Sequence, residues 1–224
     1  IMLNPYHFRS LKVLGSCYGL QGRLTEAWLC IQSSLLIANN YTMAQTPITY
    51  LDGIVKQTDE FSEAYQNKKE QYQHPLYDEI DAILHAKLVL GDEYKIKSVL
   101  DDEPQAKGLY AILEKLKYDP KDKNFAMQYF VPLLMEIKEK DLVDPYLLHL
   151  YSGYEIEKIE KLAAKEKSSI NKTKELCNNY LKLITATRTL NYEERKKAPL
   201  KFMAINAENL LISSNMKTLE EWAE

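Results

Sequence analysis

Leu11 to Ala27 reads LKVLGSCYGLQGRLTEA. Leu11, Leu14 and Tyr18 stand at i, i+3 and i+7, the spacing of one buried helix face. Ile31 and Leu35 supply an answering face further on. These positions predict two antiparallel helices with a turn at about Arg23. Where the helices come closest, small residues are needed, and Gly15 and Ala27 stand there. Gly22 falls just past the first helix end, where a left-handed backbone is cheap for glycine.

Outward from this pair, proline punctuates the chain. Pro5, Pro47, Pro120 and Pro145 each follow Asn, Thr or Asp, residue types that cap helix starts. Pro75, Pro104 and Pro199 precede apolar-periodic runs. Pro132, in YFVPLLMEI, falls inside a helical pattern and predicts a kink or break. Leu76, Ile80, Ile83, Leu84 and Leu88 keep helical spacing. So do Ile156, Ile159 and Leu162, and then Leu176, Tyr180, Leu183 and Ile184. No run alternates as a strand does, and no hairpin dipeptide joins two such runs. The fold class expected is all-α, with about ten helices. They fall near 5–20, 24–40, 47–72, 75–90, 93–101, 104–117, 122–139, 145–167, 169–189 and 192–213. The polar stretches 57–73 and 157–167 are expected as exposed helix faces.

The chain has 224 residues, 46% of them hydrophobic, and a net charge of -3 with both signs interspersed. That composition can bury a core and carries no footprint for nucleic acid. No apolar run is long enough to span a bilayer. The chain opens IMLNPYHF, without Met at position 1, and so reads as a fragment or a processed product. The cytoplasm is the favoured compartment, while a bacterial periplasmic or lipoprotein setting stays open.

Motifs for chemistry are sparse. There is no phosphate-cradling glycine loop, nucleophile elbow or zinc-binding His pair. Cys17, Cys30 and Cys177 lack metal spacing and are expected as buried thiols, with a Cys17–Cys30 bridge the lesser alternative. Asp81 and His85, at i and i+4, are the best metal-ligand pair, yet the paired Glu-x-x-His pattern of helical metal sites is missing. No cofactor or metal is expected. Asp101, Asp102 and Glu103, and likewise Asp78, Glu79 and Asp81, stand at helix starts, where negative charge favours the dipole. Of the 16 tyrosines, Tyr146, Tyr151 and Tyr154 cluster near His149, and Tyr110 and Tyr118 flank another helix. Packing is their favoured role, recognition the other.

The segment 8–41 resembles a tetratricopeptide repeat. Leu11, Leu14, Gly15, Tyr18, Gly22 and Ala27 hold that family's structural positions at its spacing. Ile31 stands where the family has Phe, Ser34 holds its second small position, and its closing Pro is missing. The resemblance implies antiparallel hairpins stacked as an irregular α-solenoid. In it, 8–41 is the clearest repeat, 42–143 degenerate hairpins, and 144–224 a C-terminal helical part of one domain. It also implies a non-enzymatic scaffold or adaptor holding a protein or peptide partner in a groove lined by the first helix. The groove positions correspond to Arg9, Lys12 and Ser16. Ser16 replaces an Asn that some relatives use to grip a terminal carboxylate. Two other functions compete. One is a structural subunit of a larger assembly. The other is a helical enzyme or small-ligand binder of the cell envelope, built around Asp81, His85, His149 and the tyrosines.

Overall fold

The computed structural model describes residues 7–38, 41–87, 90–91, 94–152 and 157–186. Within them the chain is all-helical. The elements are α1 (Phe8–Leu20), α2 (Leu24–Leu36), α3 (Tyr41–Lys56), α4 (Asp59–Gln66), α5 (Pro75–His85), α6 (Pro104–Lys115), α7 (Phe125–Tyr129), α8 (Val131–Glu139), α9 (Val143–Tyr151), α10 (Glu157–Lys165) and α11 (Lys167–Ala186). The expected helix at 192–213 and the proline starts at Pro5 and Pro199 lie outside the described residues.

The opening hairpin forms as its sequence dictates. Gly22 adopts φ +73° and closes α1, with the Gly22 amide donating to Gly19 O and the Arg23 amide to Tyr18 O. A Cβ built on Gly15 would lie 2.6 Å from Ile31 Cγ1 and 3.3 Å from Ala27 O. Leu11 is fully buried, while Leu14 and Tyr18 are half-buried.

α2 is the centre of the molecule. Every residue from Leu24 to Leu35 is buried, including Thr25, Glu26 and Gln32. A helix buried on all sides must be covered by several others, and α2 packs on α1, α3, α5 and α7. α6 reaches the same core through Gly108. There a Cβ would lie 2.7 Å from the Trp28 ring and 2.8 Å from Val55. The core continues through α8 and α9 to Tyr180 on α11, whose hydroxyl donates to Tyr129 O at 3.0 Å. A solenoid repeat touches only its neighbours. α2 also reaches α5 and α7, so beyond the first hairpin the packing does not reproduce a one-dimensional stack.

Several element boundaries depart from the sequence expectation. The single helix expected at 47–72 is broken into α3, α4 and a short 3-10 turn at Glu70–Tyr72. Gln57 takes φ +48°, its amide donating to Ile54 O and that of Thr58 to Gly53 O, which ends α3. α3 begins at Tyr41, so Pro47 lies inside it rather than at its start. No helix forms at 94–101. Instead Asp144 accepts bonds from Ser98 Oγ at 2.5 Å and the Val99 amide at 2.9 Å, tying this segment down. Asp144 is therefore inside α9 and not its cap. Pro120 sits in a turn where the Lys121 amide donates to Asp119 Oδ1. The next helix starts later, under Asn124, which accepts from the Ala126 and Met127 amides. Pro132 breaks the helix as expected, and α8 restarts with it in the first turn. The helix expected at 145–167 ends at Tyr151, and α10 begins at Glu157.

Candidate functional site

α1 presents its outer face to solvent. Val13 and Leu20 are 64% and 62% exposed, the most exposed large apolar side chains among the described residues. Arg9, Val13, Ser16 and Leu20 follow i, i+4, i+7 and i+11, which places them on one helical face. Cys17 is exposed beside them as a free thiol, so it is neither buried nor bridged to Cys30 as considered from the sequence. Cys30 and Cys177 are buried and free. Arg9 is exposed. Lys12 and Ser16 are half-buried at the edge of the face. The Lys12 ammonium sits 5.7 Å from the Phe8 ring centroid. The Ser16 carbonyl accepts from the Tyr50 hydroxyl at 3.2 Å, which leaves its side-chain hydroxyl outside that contact. α1 carries Arg9 and Lys12 and no acid, so this apolar face has a basic end.

Sequence reasoning missed Val13 and Leu20. The signal was present, because both fall off the buried arc defined by Leu11, Leu14 and Tyr18. One exposed apolar side chain is ordinary, but two on the same face opposite the core make a patch, and the patch is informative.

A second cluster lies inside, where α2 meets α5. Asp81 is fully buried and accepts from the Thr25 amide and hydroxyl, each at 2.6 Å. Its other oxygen accepts from Lys68 Nζ at 2.9 Å, and Lys68 also reaches Asp78 Oδ1 at 2.5 Å. Burial raises the Asp81 carboxyl above the ordinary aspartate value, with Lys68 and the Thr25 donors pulling against it. Next to Thr25, buried Glu26 pairs with Arg23 through both carboxylate oxygens and accepts from the Asn124 side-chain amide. The Arg23 guanidinium lies over the Tyr18 ring at 4.2 Å. The His74 ring bonds Asp122 at 2.7 Å. These bonds fasten α2, α5 and the 119–124 turn to one another. Asp81 is thus a buried anchor beyond the first turn of α5, not the helix-start acid expected from the sequence; Asp78 holds that place.

His85 does not share a ligand with Asp81. Its Nδ1 lies 3.0 Å from Gln57 Oε1, and its ring stacks on Tyr65 with centroids 4.3 Å apart. Among the described residues no group of three or more His, Cys, Asp or Glu is placed to hold a metal ion. Burial, then the nearby Lys174, lowers the His149 pKa. Tyr146 and Tyr151 beside it are buried, and the favoured packing role fits both. Tyr154 lies outside the described residues. No described helix is long and apolar enough to cross a membrane. Compared with known proteins, the chain matches no family model, no curated protein and no solved structure.

Proposed function

We propose that this chain is a non-catalytic protein-interaction module. It takes an acidic, apolar-faced partner helix on the outer face of α1. The observation that carries this reading is the exposure of Val13 and Leu20 on one face with the basic Arg9. Paired apolar side chains at these spacings offer anchors to a facing helix, and an uncompensated basic end selects for acid in the partner. Arg9, Lys12 and Ser16 keep the partner-binding role given them by sequence. Val13 and Leu20 join them as the apolar anchors. The tetratricopeptide-like reading of 8–41 belongs to this proposal. Its supports are the close approach of Gly15 to the second helix and the left-handed turn at Gly22.

The test is quantitative affinity capture from the native source with three baits. These are the unaltered chain, a Val13→Asp/Leu20→Asp variant and an Arg9→Glu/Lys12→Glu variant, each checked for unchanged helicity and melting. One shared acidic partner lost by both variants supports the proposal. Recovery of a whole assembly in equal amounts by all three baits would instead mark a structural subunit. Loss in neither variant removes α1 from the binding surface.

A further inference from the structure

A cavity of about 210 Å³ opens between α3, the start of α6, α9 and α10. One part of its wall is apolar, formed by Leu100, Leu147 and Ile159, each almost wholly buried. The rest of the wall carries the polar side chains of Asp52, Glu103, Gln105 and Tyr151. Asp52 is already engaged. It pairs with Lys56 Nζ at 3.1 Å and accepts from the Gln105 side-chain amide. Glu103 precedes the first residue of α6, yet its carboxylate makes no capping bond to the helix. Among the described residues that line the cavity, the ionised side chains are the two carboxylates Asp52 and Glu103, with Lys56 paired to the first, and no lining residue is cationic.

We infer that this cavity is a binding site for a small organic cation, an ammonium on a short apolar body. The apolar part fills the space between Leu100, Leu147 and Ile159, and the ammonium faces Glu103. Size sets the class. The space is smaller than the roughly 300–1,000 Å³ of sites for drug-sized ligands, so a short alkyl or arylalkyl amine fits it. Sign sets the charge, because an anion would meet the Glu103 and Asp52 carboxylates, and no described lining residue is cationic. The inference involves none of the α1 residues, so it stands or falls separately from the proposed partner surface.

The experiment is ligand-observed NMR on the full chain with n-pentylammonium, using 1-pentanol as its neutral twin. Binding of the amine about tenfold tighter than the alcohol is the expected result, the effect of one ion pair partly shielded from water. In Glu103→Gln, a surface change that leaves the core intact, the amine should lose that advantage while the alcohol is unaffected. Three outcomes would overturn the inference. They are equal affinity for amine and alcohol, an amine affinity untouched by Glu103→Gln, and no binding of either probe.

Discussion

Gly15 leaves no room for a side chain. A Cβ there would stand 2.6 Å from Ile31 Cγ1, well inside van der Waals contact. Gly15→Leu is expected to lower stability by about 1–3 kcal/mol or more, through forced repacking of α1 on α2. Denaturant unfolding checks it, and an unchanged midpoint would dismiss the close approach. Glu136 poses a different residue-level problem. It is buried, and burial above all raises its pKa to about 7, while Lys140 at 3.7 Å pulls it down. The folded state therefore holds a proton that the unfolded state releases near pH 4.5. Stability should fall as pH rises from about 4.5 to about 7 and level off above that. Glu136→Gln should flatten that part of the curve and stabilise the protein at pH 8, by on the order of 1–3 kcal/mol. Melting curves across this range would show it, and parallel curves for the two proteins would refute it.

At the scale of the element, helix starts marked by local chemistry were legible and helix ends set by distant partners were not. Pro75 and Pro104 do open α5 and α6. Asp144-Pro145 carries the same signal, but Asp144 turns to Ser98, Val99 and Tyr110, and α9 begins two residues before Pro145. The ends of α3 and α8 fall at Gln57 and Asp141, both left-handed without being glycine. The usual sequence sign of a helix stop is missing there. Gln57 is held by its side chain, whose amide N–H donates to Ile54 O and whose amide oxygen accepts from His85 Nδ1. α1 is the element in which the two faces were half legible. Its buried arc was readable from period, and Arg9, Lys12 and Ser16 were placed toward its open side. The exposed Val13 and Leu20 were left unread, because the period was used to find the face that is buried and not the apolar residues that fall outside it.

At the scale of the molecule, the burial of α2 on every side is what holds the helices in one body. Trp28 is fully buried, packs on Gly108 of α6 and donates its ring N–H to Gln32 at 3.2 Å. Trp28→Ala should cost about 3–5 kcal/mol, as for other large core truncations. The loss should appear in a single unfolding transition detected alike by far-ultraviolet circular dichroism and by tyrosine fluorescence. Two separated transitions would show that the helices around α2 do not share its stability. Two buried polar residues of α2 fit the same picture. Thr25 and Glu26 tolerate burial because Asp81, Arg23 and Asn124 satisfy them.

By itself the sequence determined the helical class, the first hairpin and the glycine geometry that closes it. Each depends on residues a turn or two apart, whose period and backbone preference act locally. Only the tertiary structure decided that α2 lies at the centre, that Asp81 pairs with Lys68 and Thr25, and that Asp52 and Glu103 share a cavity with Leu147 and Ile159. Those meetings join residues separated by tens of positions. A hydrophobic period names the face that must be covered but not the helix that covers it, because apolar burial is non-directional and every apolar stripe satisfies it equally well.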